Sequence, residues 1–213
     1  MSDFSGRPKV SVVTSTVDST FPSPFLCRSY SYPRSEREGT KYNVSLSGSS
    51  EFTLLDALRA TSAAPSYFET LTHNQGKFSD GGLVANNPIE LAYFEARKLF
   101  PNDEIELIVS VGTGEPTLEY KNRSNIFWLG EVMINIATDS EAIHNRFQRT
   151  QQHLDGMQNA TVIRFNPPNL GKYDLADASE ATLRAYASGV RDYWAKPTIQ
   201  SKVTTFCGVM SQV

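Results

Sequence analysis

The sequence predicts an α/β fold with a mostly parallel sheet, and two observations carry that expectation. Lys77-Phe78-Ser79-Asp80-Gly81-Gly82 reads as a strand end entering a glycine turn, followed by a strong helix start at Asn86-Asn87-Pro88-Ile89-Glu90. Ile105 to Val111 is then an apolar run with a single charge, as expected of a strand covered on both faces. Strand, helix and strand at this spacing make a βαβ-like unit. With 213 residues the chain has room for one domain with its own core and little room for a second.

The remaining elements follow from local signals. Val10-Ser11-Val12-Val13, β-branched and preceded by Pro8, predicts a short strand, and Pro24 to Tyr32 a second. Residues 33–52 are polar and rich in Ser and Gly, which predicts a surface loop. A helix comes next, with Leu54, Leu55 and Leu58 on one side. It ends at Ala63-Ala64-Pro65, because Pro65 pushes Ala64 out of the helical region. At the following helix, Asn87 can cap, Pro88 suits the first position, and Glu90 sits where a capping box places a carboxylate. Its face of Ile89, Ala92, Tyr93, Ala96, Leu99 and Phe100 is expected to be buried, and Pro101-Asn102-Asp103 stops it.

The second half reads as mostly helical. Leu129, Met133, Ile136, Ile143 and Phe147 share one face, and Thr138-Asp139-Ser140-Glu141 has the form of a capping box, so the stretch is one helix or two. Packing in the core is the better account of this stripe than contact with a membrane. Thr161 to Phe165 predicts a strand closed by Pro167-Pro168. Asp177 can cap a last helix that buries Leu183, Tyr186, Ala187, Val190, Tyr193 and Trp194. From Pro197 onward no pattern stands out.

Composition narrows the function. Twenty basic against 23 acidic residues give a net charge of −3, which argues against nucleic-acid binding driven by bulk charge. Cys27 and Cys207 are too few and too far apart for a disulfide framework or a cysteine zinc site. No stretch approaches the roughly 18 apolar residues of a membrane span, and the N-terminus lacks the apolar core of a signal peptide. The expectation is an intracellular protein with reduced thiols, soluble or peripherally attached to a membrane. His73, His144 and His153 have no metal-ligand spacing, and His144 and His153 are expected to be solvated.

Asp80-Gly81-Gly82 is the sharpest chemical feature. An aspartate at the mouth of a sheet can act as a base or bind a cation, and glycines let backbone approach a ligand. It can equally be an Asx turn between strand and helix. Gly112-Thr113-Gly114 reads first as a turn, and Asn86 and Asn87 as helix-capping residues. Arg28, Arg34, Arg37 and Lys41, interleaved with Tyr30, Tyr32 and Tyr42, form a basic–aromatic loop, either solvated or facing lipid headgroups.

Three motifs in order widen the picture. These are Ala60-Thr61-Ser62-Ala63-Ala64-Pro65-Ser66-Tyr67-Phe68, then Phe78-Ser79-Asp80-Gly81-Gly82-Leu83-Val84-Ala85-Asn86-Asn87-Pro88, then Ile108-Val109-Ser110-Val111-Gly112-Thr113-Gly114. Together they resemble the C-terminal half of the catalytic domain of the patatin-like phospholipase family. Ile134 to Glu141 and Arg164-Phe165-Asn166-Pro167 look most like its calcium-independent phospholipase branch, gamma type. The resemblance implies a three-layer α/β/α sandwich, here partial. It implies hydrolysis of a lipid acyl ester by a Ser–Asp dyad. Serine attacks the carbonyl, and aspartate takes the serine proton with no histidine between them. The general-base role then falls on Asp80, with Gly81 and Gly82 completing its motif. No metal or other cofactor is implied, because backbone N–H groups meet the oxyanion charge. The implied partners are a phospholipid or other lipid ester and a peripheral membrane contact, with no nucleic acid.

The sequence also departs from the family. No Gly-x-Ser-x-Gly nucleophile motif occurs, nor does the upstream glycine-rich segment that supplies oxyanion amides. Ser47-Gly48-Ser49-Ser50 lies in a polar loop without the strand–turn–helix setting. The nucleophile is therefore expected outside these residues, in an N-terminal half supplied in cis or in trans, and the chain alone is expected to be inactive. Residues 1–195 are expected to be the C-terminal part of the patatin-like domain with its helical extension, and 196–213 a tail. An unpaired strand edge and a bare sheet face would follow. The rival expectation is a non-catalytic lipid-binding or regulatory remnant of the same fold.

Overall fold

The computed structural model describes residues 8–32, 46–115, 139–168, 170 and 177–211. The described residues up to Asp103 form one compact unit, and those from Glu104 on, Asp139 apart, form a second. The single core expected from length is thus divided.

In the first unit, five strands lie in the order β3-β2-β1-β5-β4. They are β1 (Ser11–Thr16), β2 (Ser23–Arg28), β3 (Gly48–Ser49), β4 (Leu71–His73) and β5 (Gly76–Asp80). β1 pairs antiparallel with β2, from Ser11↔Arg28 to Thr16↔Ser23, and antiparallel with β5, from Thr14↔Asp80 to Thr16↔Phe78. β4 and β5 are antiparallel, and only the short β2–β3 ladder is parallel. The expectation of a mostly parallel sheet fails here, and the connections explain why. Residues 17–22 link β1 to β2, and Asn74-Gln75 link β4 to β5. Such short links permit only antiparallel neighbours, since a parallel pair needs a long crossover. The two edges of this sheet are its shortest strands, which limits the unpaired backbone they present.

The first core gathers Phe25, Cys27, Ala57, Ala60, Leu71 and Phe78, with Val12 and Phe52 against it. The Phe78 ring lies 4.9 Å from Phe25 and 5.3 Å from Phe52, centroid to centroid. Burial pushes the Cys27 thiol up to about 11, against the pull of Arg28. Helix α1 (Leu54–Thr61) is capped by Thr53, whose Oγ1 accepts the Asp56 N–H at 3.1 Å. It turns Ala57 and Ala60 inward, while Leu54 and Leu55 are 77% and 66% exposed. Small residues face the sheet because the helix lies close to it: the Thr14 hydroxyl donates to the Ala60 carbonyl at 3.2 Å.

After the single-turn α2 (Gly82–Ala85), α3 (Ile89–Leu99) begins one residue past Pro88, with Asn87 Oδ1 accepting the Ile89 N–H at 3.3 Å. Ile89, Tyr93 and Leu99 are buried as expected, but Ala92 and Phe100 are exposed. Two charged residues, Glu95 and Arg97, are buried instead. Arg97 caps the helix end, donating to the carbonyls of Phe100, Pro101 and Asp103. Glu95 accepts both Arg28 Nε and Nη2 at 2.8 Å, the Tyr30 hydroxyl at 2.6 Å, and the Tyr32 hydroxyl. The basic–aromatic stretch therefore faces inward at Arg28 and Tyr30 rather than toward solvent or lipid, because a buried carboxylate recruits it. Arg34, Arg37, Lys41 and Tyr42 lie outside the described residues.

In the second unit, β6 (Leu107–Val111) and β7 (Thr161–Phe165) pair in parallel, from Leu107↔Thr161 to Val111↔Phe165. These two strands make a ladder of their own, parallel as expected of the Ile105 to Val111 run. Helix α4 (Ser140–Thr150) lies between β6 and β7 in sequence, followed by a 3-10 turn at Gln151–His153. It buries Phe147 and also His144, which is only 5% exposed rather than solvated; His153 is exposed. Leu129, Met133, Ile136 and Thr138 fall outside the described residues. Helix α5 (Glu180–Trp194) is capped by Ser179, while Asp177 accepts the Ser179 N–H at 2.9 Å and the Thr182 hydroxyl at 2.6 Å. Tyr193 is buried but Leu183 is 56% exposed, so the expected stripe packs only in part. The patternless residues from Pro197 form a further helix, α6 (Pro197–Met210), with proline at its first turn. Ile163, Phe165, Tyr193 and Ile199 form this unit's core. No helix among the described residues is long and apolar enough to cross a membrane.

The Glu95 cluster sets a pH window for stability. Burial pushes the Glu95 carboxyl up, but the hydrogen bonds from Arg28, Tyr30 and Tyr32 outweigh it and hold it below 4.5. Burial and Glu95 together push both tyrosines above 10.0. The depressed carboxyl stabilises the fold above pH 4.5, and that contribution is lost as pH falls through its folded value. The raised phenols stabilise it below pH 10.0, and theirs is lost as pH rises. Glu95→Gln leaves Arg28 buried without a counter-charge and is expected to cost about 3–5 kcal/mol at pH 7. Urea unfolding of both proteins across pH, with the acid-side loss absent from the variant, checks this.

Candidate active site

Asp80 is the last residue of β5, and neighbouring backbone pins it on every side. Its N–H donates to the Ala63 carbonyl at 3.0 Å, where the chain leaves α1. Its carbonyl accepts the Ser15 hydroxyl at 3.0 Å. One residue on, the Gly81 N–H donates to the Thr61 carbonyl at 3.3 Å, and the Thr61 hydroxyl donates to the Val13 carbonyl at 2.5 Å. One residue back, the Ser79 carbonyl accepts the Thr14 hydroxyl at 2.7 Å, and the Ser79 hydroxyl donates to Ala63 at 2.9 Å.

The carboxylate itself is half-buried. Its Oδ1 accepts the Gly82 N–H at 2.6 Å, which is the Asx-type turn that the tripeptide permits. Its Oδ2 makes no hydrogen bond among the described residues. The two glycines answer to space rather than to backbone conformation. A Cβ on Gly81 would stand 2.1 Å from the Val13 carbonyl oxygen, and one on Gly82 would stand 2.9 Å from Asp80 Oδ1.

Asp80, Gly81 and Gly82 line a cleft of about 370 Å³, with Asn86, Leu91 and Glu95 on its walls. A carboxylate oriented through one oxygen can accept a proton on the other from a hydroxyl that reaches it. No serine among the described residues hydrogen-bonds the Asp80 carboxylate. Ser49 Oγ accepts from the Glu51 N–H and the Gln75 amide, and Ser50 pairs with Ser31, so the serine loop is structural. Gly112-Thr113-Gly114 belongs to the second unit and is a bend held by a side chain: Asn166 Oδ1 accepts the Gly114 N–H at 2.8 Å and lies 2.3 Å from where a Gly112 Cβ would be. His73 stacks on Phe52 at 4.1 Å.

Glu95 is the cleft residue that sequence reasoning missed. The signal lay in β2, where Phe25, Leu26, Cys27 and Arg28 are consecutively buried. An arginine ending such a run needs a buried acid. Gly81→Ala is expected to cost about 1–3 kcal/mol by forcing β1 and the loop apart. The midpoint of urea unfolding reads this directly.

The family model described as patatin-like phospholipase matches residues 4–93, a span that includes the whole Asp80 loop. The chain is 34% identical to Calcium-independent phospholipase A2-gamma of Rattus norvegicus over 165 residues, 75% of this chain and 20% of that protein. It is 30% identical to Phospholipase A I of Arabidopsis thaliana over 184 residues, 75% of this chain and 14% of that protein. It is 28% identical to the cGAMP-activated phospholipase of Escherichia coli (strain TW11681) over 166 residues, 68% of this chain and 47% of that protein. The chain thus spans a fifth or less of the first two relatives. Its mixed sheet with helices is an α/β fold consistent with part of such a domain. Through residues 4–93, the chain belongs to the patatin-like phospholipase family.

Proposed function

We propose that the protein is a lipid acyl hydrolase in which Asp80 is the general base of a Ser–Asp dyad. The observation that supports this reading is the Asp80 carboxylate, a residue of the family-matched span, held through one oxygen at the end of β5 and lining a cleft. The relatives are named as phospholipases, so the substrate proposed is a phospholipid or a similar lipid ester met at a membrane surface. The serine Oγ gives its proton to Asp80 and attacks the ester carbonyl. The tetrahedral intermediate collapses, and the leaving alcohol takes the proton back. Water, deprotonated by the same aspartate, then releases the fatty acid and frees the serine. The sequence holds no Gly-x-Ser-x-Gly, so the serine and the oxyanion amides come from a segment beyond these residues, in cis or in trans.

Two measurements test this. The purified 213-residue chain, treated with a fluorophosphonate, is expected to show no labelled serine by mass spectrometry. Joined to or mixed with a serine-bearing family segment, it is expected to hydrolyse phospholipid vesicles, with Asp80→Asn lowering turnover by about 10²–10⁴-fold. Full turnover in the Asp80→Asn protein would remove the base from the reading. A folded assembly that binds vesicles without hydrolysing them would favour the non-catalytic remnant. A serine labelled in the isolated chain, with labelling lost in Asp80→Asn, would place the nucleophile among the residues present.

A further inference from the structure

The second unit holds a cavity of about 410 Å³ that the Asp80 chemistry does not use. Three cationic side chains line it, Arg164, Lys196 and Lys202, against two carboxylates, Glu115 and Glu141. Arg164 and Glu141 satisfy each other. The Arg164 Nη2 lies 2.7 Å from Glu141 Oε1, and its other N–H groups reach Ser110 at 2.8 Å and Ser140 at 2.9 Å. The cations left over are the lysines. Lys202 spends one ammonium N–H on the Arg164 carbonyl at 3.0 Å, which leaves two. The Lys196 side chain makes no hydrogen bond or ion pair among the described residues. Glu115 is the one carboxylate set against these two charges.

A second observation points to a ligand. His144 lines the same cavity and is 95% buried, with 5% of its surface exposed. Its Nδ1 has no hydrogen-bond partner among the described residues. Buried polar atoms in native proteins are nearly always partnered, so an orphan in a cavity wall marks a place where a polar group binds. The volume greatly exceeds the roughly 30 Å³ share of one water molecule. We propose that this cavity binds a phosphate group, with Lys196 and Lys202 supplying the charge and the His144 ring a buried hydrogen bond. Phosphate suits donors that arrive from α4, from α6 and from the link before α6, because its oxygens point in tetrahedral directions. A carboxylate offers only two, in one plane.

The same phosphate chemistry belongs to a free phosphomonoester and to a lipid headgroup, and the test separates them. His144 is the reporter. Burial and the charges of Arg164 and Lys202 push its imidazole below the ordinary value, with Glu141 opposing; Lys196 and Glu115 also face the cavity. A bound phosphate favours the protonated ring, so binding raises this value. Histidine NMR on the full chain titrated with inorganic phosphate and with glycerol 3-phosphate is expected to show a saturable His144 shift and an upward-moving titration. Lys202→Gln and Lys196→Ala are each expected to weaken binding about tenfold. Should Lys202→Gln fail to fold, the exposed Lys196 decides. Co-sedimentation with phosphatidylcholine vesicles, with and without phosphatidic acid, supplies the other arm. Binding of the soluble phosphates alone assigns a free phosphate compound, and phosphatidic-acid-dependent sedimentation lost in the same variants assigns a headgroup. Either result supports the site. A His144 signal indifferent to every phosphate, or undiminished binding in both lysine variants, overturns it.

Discussion

The backbone of β1 between Val13 and Ser15 is where the first unit is tied together. Thr14 and Ser15 are fully buried, and a buried hydroxyl must find an acceptor. Thr14 finds the carbonyls of Ser79 and Ala60, Ser15 finds that of Asp80, and Thr61 reaches back to that of Val13. The strand that carries Asp80, the exit of α1 and the central strand are thereby fixed against one another by polar contacts. That closeness is also what excludes a side chain at Gly81. Apolar residues of the same size would fill the space but take these hydroxyl donors away from the carbonyls, at a net cost. The position of the Asp80 backbone is therefore a property of the sheet, while its carboxylate is oriented by the Gly82 N–H of the turn that follows.

Glu95 imposes a second constraint. A carboxylate 5% exposed is tolerated only with several donors around it. Arg28 supplies two of them as a planar fork, Nε to one oxygen and Nη2 to the other, which the single ammonium of a lysine cannot match. Tyr30 and Tyr32 add hydroxyls, and Lys98 sits 4.1 Å over the Tyr32 ring. The end of β2 is thus bolted to the middle of α3, the helix whose Leu91 and Glu95 wall the Asp80 cleft.

Features determined by adjacent residues were legible in the sequence. The strands at Val12-Val13 and Thr161 to Phe165, the helix start near Asn87 and the Asp80 turn all have local causes, and each occurs near its expected place. Features set by distant partners were not. The Arg28–Glu95 contact spans 67 residues, so the charge pattern alone suggested a solvated arginine. His144 looked solvated because its helix is polar, yet it is buried along that helix, as Phe147 is. An apolar run at Ile105 to Val111 signals burial but says nothing of which strand pairs with it or in which direction. Helix α6 has a weak stripe interrupted by threonines, serine and glycine, and only Ile199 is buried along it. The proposed serine left no trace, because no Gly-x-Ser-x-Gly occurs in the sequence.

The leucines of α1 carry a thermodynamic signature. Leu54, Leu55 and Leu58 are already hydrated when the chain is folded, as are Tyr67 and Phe68 just beyond the helix. Unfolding exposes little additional apolar surface at these positions. Their contribution to the heat-capacity increment, which tracks newly wetted hydrocarbon, is correspondingly small. The free-energy curve of this unit is flattened against temperature to that extent, cold and heat destabilising it more gradually than they would a unit with the same leucines turned inward.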